Sequence, residues 1–394
     1  MIVRKTLPEE NDAINRLFSV AFQTSPDKGP ADADNARIVH WGAFSDEGEL
    51  MSSLSLTSYQ IRFDGQASPM AGVGAVQTLP PCRRRGGVAA CFAAALPALY
   101  AEGVHFAYLY PFSTAFYRRF GFESCVMKIG CTVDLAQLRL PPQEGSFRLA
   151  VKEKPLAEAI RAVDQVWERR WNMEVLHGEE DYDWLAKLDP FTKQEYLYVC
   201  FDAAGRAIAY TAFRPVREPD GRDLVCSRFR FADREGYYAL LGVFKSLAAD
   251  HRFAKFALPS DPALPYLMGE WSLGAASFRL EPAGMVRVIN AREVLTRAAY
   301  RGSGELRLQI RDALIAENDG DFSLRFADGH AVSVKRTEEK PDAVLDIRAF
   351  SAMIAGVCDL EGAGEWMNGV EILDPAAPLE SVFYRKSMTI TEPF

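Results

Sequence analysis

The chain has 394 residues, enough for about two or three domains that each bury a hydrophobic core. Apolar residues make up 48% of the sequence and charged residues 25%, which is ordinary for globular proteins and excludes a disordered chain. The formal net charge of -8 disfavours a nucleic-acid partner and favours a cationic substrate.

Cysteine and histidine spacing points away from a disulfide framework and from a metal site. The seven cysteines form no CxxC pair, and the five histidines never stand at i, i+4 spacing. The first residues, MIVRKTLPEEND, lack the apolar stretch of a signal peptide, and no apolar run reaches the roughly 18 residues of a membrane span. We therefore expect reduced thiols, no metal, no membrane contact and a cytoplasmic location.

The first elements in chain order are a strand, a helix and a loop. Residues 2–5 predict an edge strand, and apolar residues at helical spacing predict a helix that ends near Phe22. Residues 23–35 are rich in Asp, Pro, Ala and Ser and predict a loop, an element that often carries substrate specificity. Phe22 belongs either to the core or to a substrate pocket. Asp27 in the loop either holds a cationic amine or faces water.

Two strands lead to the most informative stretch of the sequence, which begins near Met70. Residues 38–44 and 50–63 predict strands, and the pair Asp64-Gly65 predicts a hairpin turn. A further buried strand follows, and Pro80-Pro81 ends it.

An arginine-rich loop follows that strand and leads into a helix. Three arginines at 83–85 precede Gly86-Gly87, after which apolar residues repeat at helical spacing up to Gly103. A helix N-terminus has unpaired backbone N–H groups and the positive end of the helix dipole, so it binds anions where glycine allows close approach. The loop therefore predicts a phosphate site, although an arginine cluster is also common on a solvated surface.

The order of the motifs resembles the GNAT superfamily of N-acetyltransferases. The letters RRGGVA at 84–89 resemble the R-x-x-G-x-A loop that binds the pyrophosphate of acetyl-CoA. A helix, a short strand at 104–110 and a second short helix follow. The letters FYRRFGF at 116–122 then resemble the F-Y-x-x-x-G-F signature that closes the same site. Taken singly, these aromatic residues would be ordinary core residues.

We predict three domains and an α+β (mixed α/β) class, with central mixed sheets flanked by helices. Residues 1–147 have the element order of a GNAT domain that binds acetyl-CoA. Residues 148–284 repeat that order without clustered arginines or paired glycines, so they predict a degenerate GNAT-like domain without cofactor, or else an unrelated α+β domain. Residues 285–394 predict helices against an antiparallel sheet with tight turns such as Asp328-Gly329.

The whole chain resembles the Eis (enhanced intracellular survival) family of acetyltransferases. The arginine loop at 83–87, the segment 111–122 and the turn pattern of a sterol-carrier-protein-like third domain carry the resemblance. It implies tandem GNAT domains, a sterol-carrier-like domain and a hexamer. It also implies acetyl transfer from acetyl-CoA to primary amines of aminoglycosides, and in some members to lysine side chains.

The resemblance also implies roles for individual residues. Tyr117 would be the general acid that protonates the departing CoA thiolate, and the terminal carboxylate of Phe394 would help to take the proton from the acceptor amine. A backbone N–H near Val76 would stabilise the thioester carbonyl. The residues implied to bind acetyl-CoA are Val76, Gln77, Thr78, Arg83, Arg84, Arg85, Gly86, Gly87, Val88 and Ala89. The residues implied for the acceptor pocket are Phe22, Asp27 and Trp41.

This pairing of roles is chemically coherent, because direct attack on a thioester needs a neutral amine and a proton donor for the leaving thiolate. No covalent enzyme intermediate is required. For Tyr117 the competing interpretation is an aromatic side chain packed under the sheet, and for Phe394 it is a frayed chain end.

We therefore expect an acetyl-CoA-dependent N-acetyltransferase that acts on polycationic small molecules such as aminoglycosides. Two alternatives stay open. A protein lysine or peptide N-acetyltransferase would use the same chemistry. A lipid or hydrophobic-ligand carrier would instead need a large apolar cavity between Leu306 and Phe383.

Overall fold

A computed structural model describes residues 1–31, 35–142, 144–260, 275–360, 362 and 367–392 of the chain. The helices are Asn11–Phe22 (α1), Gly87–Ala101 (α2), Thr114–Arg118 (α3), Ala157–Arg170 (α4), Pro190–Lys193 (α5), Arg234–Ser246 (α6), Ala291–Arg297 (α7), Ile347–Ala355 (α8) and Leu379–Val382 (α9). Short 3₁₀ turns lie at Pro8–Glu10, Pro26–Lys28, Pro80–Cys82 and Glu180–Lys187.

The strands are numbered in chain order. They are Ile2–Lys5 (β1), Ile38–Phe44 (β2), Leu50–Phe63 (β3), Gln66–Thr78 (β4), Phe106–Leu109 (β5), Glu123–Asp134 (β6), Ser146–Leu149 (β7), Tyr196–Phe201 (β8), Ala207–Glu218 (β9), Gly221–Phe231 (β10), Phe253–Pro259 (β11), Ala276–Val288 (β12), Gly304–Arg311 (β13), Gly320–Ala327 (β14), His330–Arg336 (β15), Ala343–Asp346 (β16) and Val370–Ile372 (β17).

The described residues form two compact units. Unit 1 is built from residues within 1–125, 283–386 and 391–394, and unit 2 from residues within 126–282 and 387–390. The division into domains at 1–147, 148–284 and 285–394 stays a prediction. None of the described helices is both long and apolar enough to cross a membrane.

The main sheet of unit 1 has the strand order β1-β2-β3-β4-β5-β12. Its first four strands are antiparallel neighbours, β4 and β5 run parallel, and β5 pairs antiparallel with residues 285–288 of β12. All four residues of β5 are buried, as expected for a strand covered on both faces.

A helix covers each face of this sheet. On one face, the side chain of Gln77 donates a hydrogen bond of 3.4 Å to the carbonyl of Ile14 in α1. On the other face, Gly87 at the start of α2 packs directly over Ser52 of β3. The predicted α+β class, with a mixed sheet flanked by helices, is confirmed.

Unit 1 also contains a smaller sheet with the order β15-β14-β13-β16-β17. The predicted turn at Asp328-Gly329 joins β14 to β15, with φ angles of 50° and 82°. The turn at Asp64-Gly65 joins β3 to β4 in the same way, with φ angles of 47° and 89°. Positive φ at both central residues is the geometry that two-residue hairpin loops of this type require.

The sheet of unit 2 has the order β6-β11-β10-β9-β8-β7. From β7 to β10 neighbouring strands are antiparallel, β10 and β11 are parallel, and β11 pairs antiparallel with β6. This is the same succession of strand directions as in the main sheet of unit 1. The partner of β11 is β6, which comes much earlier in the chain, directly after α3, so strand partners here are not sequential.

A buried ion pair lies between α4 and the sheet of unit 2. Arg230 of β10 donates to the carboxylate of Asp164 at 2.7 Å, and both side chains are almost fully buried. The hydroxyls of Tyr182 and Tyr210 donate to the same carboxylate at 2.8 and 2.6 Å. Hydrogen bonds of this kind satisfy the charge that burial would otherwise leave without solvation.

Candidate active site

The candidate site centres on the point where β4 parts from β5. The two strands pair only over residues 70–73 and 106–109. In the described part of the chain, the edge of β4 from Gly74 to Thr78 has no strand partner on the β5 side. Exposed backbone groups on a strand edge can pair with an extended ligand, as an added strand would.

A β-bulge lies at the same place on the opposite edge of β4. The register with β3 shifts, because Ser55 pairs with Gly74 whereas Ser53 pairs with Gln77. Two residues of β4, Ala75 and Val76, therefore stand opposite one residue of β3, and Ala75 has a positive φ of 44°. A bulge leaves its extra residue outside the ladder and turns its backbone groups away from the neighbouring strand.

The side chains of Gln77 and Thr78 point to opposite faces and take part in packing. The Gln77 amide donates to the hydroxyl of Ser53 at 2.8 Å, and the Thr78 hydroxyl lies 3.0 Å from that of Ser52. What these two residues can offer to a ligand on the β5 side is therefore their backbone.

The N-terminus of α2 has an exposed glycine cap. Gly86 has a φ of 83°, a side chain there would point into open space, and no side chain caps the helix. The next residue, Gly87, is buried, and a Cβ there would lie 2.4 Å from the hydroxyl oxygen of Ser52. Gly86 is therefore favoured by its positive φ, and Gly87 by the lack of room for a side chain. The backbone N–H groups of the first turn are left for a ligand.

Three exposed arginines, Arg83, Arg84 and Arg85, precede this cap. Their guanidinium groups form no ion pair or hydrogen bond with another described residue. Arg84 also has a positive φ of 64°, a conformation that is uncommon for a residue with a side chain. Unpaired guanidinium groups beside a helix N-terminus form a site suited to phosphate.

The equivalent helix of unit 2 has a different N-terminus. At α6 the side chain of Asp233 caps the helix by accepting a hydrogen bond of 2.9 Å from the N–H of Gly236. A carboxylate at this position both occupies the backbone donor and repels an anion. Unit 2 therefore has no equivalent of the α2 anion site at α6.

Tyr117 lies in α3, a short helix whose cap residue Ser113 accepts from the N–H of Phe116 at 3.3 Å. Its ring is 3% exposed and meets Phe92 of α2 edge-on, with ring centroids 6.2 Å apart. Phe92 is five residues into α2, so this contact lies about 8 Å along the axis from the helix N-terminus. Tyr117 therefore packs against the same helix whose N-terminus forms the anion site.

The hydroxyl of Tyr117 makes no hydrogen bond with any described residue. Burial raises the pKa of Tyr117 well above its ordinary value, because the phenolate would lose solvation. The group is thus a protonated donor at neutral pH.

The predicted base, Phe394, lies outside the described residues. The nearest described part of the chain end is Glu392, whose carbonyl accepts a hydrogen bond of 2.7 Å from the hydroxyl of Tyr110. Tyr110 directly follows β5, at the end of the strand where β4 departs. The last described residues are thus held at the candidate site.

The predicted acceptor residues fall into two places. Phe22 ends α1 with half of its surface exposed and stacks on Phe18 at 4.5 Å. Asp27 is exposed in the following 3₁₀ turn, and a hydrogen bond from Ser25 lowers the pKa of its carboxyl. Trp41 instead packs against the core on the α2 face of the sheet. The structure brings Phe22 and Asp27 to the end of α1 but does not bring Trp41 to them.

Two aromatic residues at the site were not singled out from the sequence. Phe112 is 72% exposed although its ring lies 5.3 Å from that of Tyr117. Tyr110 is 41% exposed and holds the chain end. Both fall in or beside the segment 111–122. Their position directly after a buried strand is the sequence feature that could have indicated them. No group of three or more His, Cys, Asp or Glu side chains able to hold a metal occurs among the described residues.

Family models match two parts of the chain. An acetyltransferase (GNAT) domain matches residues 3–125, and a sterol carrier protein domain matches residues 286–383. The chain carries a GNAT acetyltransferase domain. The prediction of an N-acetyltransferase is thereby confirmed, and so is the predicted sterol-carrier-like part.

Solved structures share the fold over the full length. A probable N-acyltransferase from Enterococcus faecalis has a TM-score of 0.86 at 19% identity and covers 100% of this chain and 99% of its own. A GCN5-related N-acetyltransferase from Anabaena variabilis has a TM-score of 0.86 at 19% identity, with 100% of both chains covered. Eis1 from Mycobacterium abscessus has a TM-score of 0.80 at 20% identity, again with 100% of both chains covered.

At these identities the likeness shows a shared fold, and the predicted resemblance to the Eis architecture is confirmed at that level. No curated protein matches the chain by sequence. GNAT acetyltransferases use acetyl-CoA, and residues of the N-terminal match region form the arginine loop, the bulge and α3 described above.

The close approach of α2 to β3 leads to a first prediction. Gly87→Ala places a methyl group against Ser52, so we expect a loss of about 1–3 kcal/mol in unfolding free energy. We also expect a roughly tenfold higher KM for acetyl-CoA, because the displaced α2 terminus misplaces its N–H groups. Urea denaturation and steady-state kinetics measure the two effects.

The matched control for this variant is the double-mutant cycle with Ser52→Gly, which removes the group that the methyl meets. In that background Gly87→Ala should cost less than half as much. An equal cost in both backgrounds would show that packing over Ser52 is not the reason for the glycine.

Proposed function

We propose that this protein transfers the acetyl group of acetyl-CoA to primary amines of polycationic small molecules, with aminoglycosides as the leading acceptor class. The observation that carries the proposal is the parting of β4 from β5 beside an arginine-rich helix N-terminus and a buried tyrosine. Together these provide separate contacts for the pantetheine arm, the pyrophosphate and the leaving thiolate.

Acetyl-CoA would bind along the free edge of β4. Its pyrophosphate would contact the N–H groups of Gly87, Val88 and Ala89, while Arg83, Arg84 and Arg85 supply positive charge from solvent. The pantetheine amides would pair with the backbone of Val76, Gln77 and Thr78. The bulge at Ala75 and Val76 supports this arrangement, because it turns backbone donors toward the carbonyl on which charge develops.

The reaction we propose is direct attack. The neutral amine forms a bond to the thioester carbon, the carbon–sulfur bond breaks, and the thiolate takes a proton from the Tyr117 hydroxyl. The amide nitrogen loses its extra proton to the Phe394 carboxylate, directly or through water, and that proton restores the Tyr117 hydroxyl by way of solvent. The products are the acetylated amine and CoA thiol, with no net release of a proton from the neutral amine.

The setting of Tyr117 supports its role as acid. A buried phenol keeps its proton through the neutral range, and its hydroxyl has no competing partner in the described part of the chain. The buried ring of Phe92 would exclude water on one side of it and strengthen its hydrogen bond to sulfur.

The hold of Tyr110 on Glu392 supports the role of the chain end. A carboxylate is a weak base, but it also attracts the ammonium form of the acceptor. The net charge of -8 and the exposed carboxylate of Asp27 at the end of α1 favour cations in the same way. The resemblance to the Eis family further leads us to propose a cytoplasmic hexamer.

The carrier alternative would need an apolar cavity in the sterol carrier match region, and the pocket described there has several polar lining residues. A surface pocket of about 470 Å³ on this domain is lined by Gln309, Arg311, Asp312, Ala313, Asp319 and Gly320. Such a lining suits polar groups, whereas a lipid needs a predominantly apolar cavity. Acetylation of protein lysines stays the alternative within the same chemistry.

The second prediction concerns which class of amine is the preferred acceptor. Thiol release from acetyl-CoA should rise above the hydrolysis background with aminoglycosides, and kcat/KM should exceed that for a lysine peptide by about tenfold or more. The preference should shrink as salt is added, because the attraction is between exposed charges. A preference for the peptide would favour the lysine alternative, and no turnover with any amine would favour the carrier.

The third prediction concerns the acid. Tyr117→Phe keeps the packed ring but removes the proton, so kcat should fall about 100-fold while CoA affinity measured by calorimetry stays within about twofold. Tyr100→Phe is the matched control, because Tyr100 packs against the same core cluster from α2. Full activity of Tyr117→Phe would remove the acid assignment.

The fourth prediction concerns the chain end. Extending the protein by three residues beyond Phe394 moves the carboxylate, so kcat should fall about tenfold or more with CoA binding retained. Tyr110→Phe should produce a smaller loss, because it releases the Glu392 carbonyl without moving the charge. An extended variant as active as the wild type would assign the base to the loop acids, beginning with Asp27.

A further inference from the structure

Arg287 is a charged side chain that is completely buried in unit 1. It lies in the part of β12 that pairs with β5, and it belongs to the region that matches a sterol carrier protein domain. A buried guanidinium group is costly unless its charge and donors are paired, and both Nη atoms of Arg287 are paired whereas its Nε has no partner among the described residues. Its partners therefore indicate what the residue does.

One partner of Arg287 is the turn that follows Tyr117. The Nη1 atom of Arg287 donates a hydrogen bond of 2.8 Å to the carbonyl of Phe120. The next residue, Gly121, has a φ of 82°, and a Cβ there would lie 1.5 Å from the same nitrogen. The guanidinium thus fills the space that a side chain at 121 would occupy.

The same turn is tied to the backbone of Tyr117. The carbonyl of Tyr117 accepts from the N–H of Phe120 at 2.9 Å and from the N–H of Phe122 at 3.4 Å. A shift of the turn would therefore shift the end of α3 that carries the tyrosine ring. The path from Arg287 to Tyr117 is two hydrogen bonds long.

The other side of Arg287 is held by Asp312. The Nη2 atom donates to both carboxylate oxygens at 2.7 Å, and both side chains are 1% exposed. Asp312 also accepts from the N–H of Leu314 at 3.0 Å and from the amide of Asn318 at 3.0 Å. The Asn318 side chain in turn bonds to the backbone of Ala291 and Ile289, each at 2.9 Å. The guanidinium is thus held by groups of the sterol carrier match region.

We propose that Arg287 is the positioning residue for the general acid, so that the sterol carrier domain sets the place of Tyr117 through the Arg287–Asp312 pair and the Phe120 carbonyl. This inference rests on the proposed role of Tyr117. Arg287 itself does not reach the reacting atoms. It makes the acetyltransferase site depend on residues outside the GNAT match region.

The fifth prediction tests this dependence with Arg287→Lys. A lysine can keep one charged contact with Asp312 but cannot also hold the Phe120 carbonyl as the planar guanidinium does. We expect kcat to fall about tenfold or more, since a misplacement near 1 Å can cost up to about 100-fold, while KM for acetyl-CoA changes less than about twofold. In the Tyr117→Phe background the same substitution should change kcat less than about twofold, because the acid is already absent.

Arg230→Lys is the matched control, since Arg230 is equally buried and pairs with Asp164 at the same distance of 2.7 Å in unit 2. It should lower the melting temperature as Arg287→Lys does but leave kcat unchanged at a temperature where both variants are folded. Gly121→Ala provides a second variant that displaces the guanidinium from the other side, and it should show the same loss of kcat. It keeps the test decisive if Arg287→Lys does not fold.

Four outcomes would overturn the inference. An equal loss of kcat with and without Tyr117 would show that Arg287 acts elsewhere. An equal loss in Arg230→Lys would show general loosening. Wild-type kcat in Arg287→Lys, with Tyr117→Phe still slow, would remove the inference and leave the proposed function intact. Wild-type kcat in Tyr117→Phe would instead remove the acid assignment, and with it this inference, while the proposed acetyl transfer would stand.

Discussion

The separation of β4 from β5 is the constraint on which the rest of the site depends. Backbone donors and acceptors in the middle of a sheet normally pair with both neighbours, and leaving them without partners is costly unless water or a ligand takes the place of the strand. β5 ends after Leu109, while β4 continues to Thr78 and bulges at Ala75 and Val76. The sheet thus has a gap between β4 and β5 beyond residues 73 and 109. The arginine loop, the α2 N-terminus and α3 are the other features of the candidate site.

The two units differ in whether the helix that follows the fourth antiparallel strand has an N-terminus open to an anion. Their sheets share the same succession of strand directions, yet α2 begins at an uncapped Gly86 whereas α6 begins at Asp233, which caps its own helix. Glycine leaves the backbone N–H groups of the first helical turn free for a ligand. Aspartate accepts a hydrogen bond from one of these N–H groups and its charge repels an anion. The difference lies in a few residues before each helix, so the shared strand order alone does not determine whether the helix N-terminus is open to an anion.

Local patterns predicted much of this from sequence. The hairpin turns at Asp64 and Asp328 and the helix start at Gly87 are short-range features, so the residues themselves determine them. The pairing of β6 with β11 could not be predicted, because a buried apolar strand carries no mark of its partner. The same limit applies to Arg287, whose contact with Phe120 joins residues 167 positions apart. The role of the terminal carboxylate of Phe394 was predicted from the resemblance to the Eis family, and it stays a prediction.

A buried arginine is a poor means of gaining stability but a good means of fixing geometry. Desolvation offsets most of what the Arg287–Asp312 pair gains, and an apolar pair of similar volume would often serve stability as well. A planar guanidinium, however, specifies direction: one nitrogen faces the carboxylate and the other faces the Phe120 carbonyl. The turn after α3 needs such direction, because α3 is a helix of five residues that cannot hold its own orientation. The proposed acid Tyr117, on so short an element, must take its position from its surroundings, and in our inference the Arg287–Asp312 pair of the sterol carrier match region supplies them.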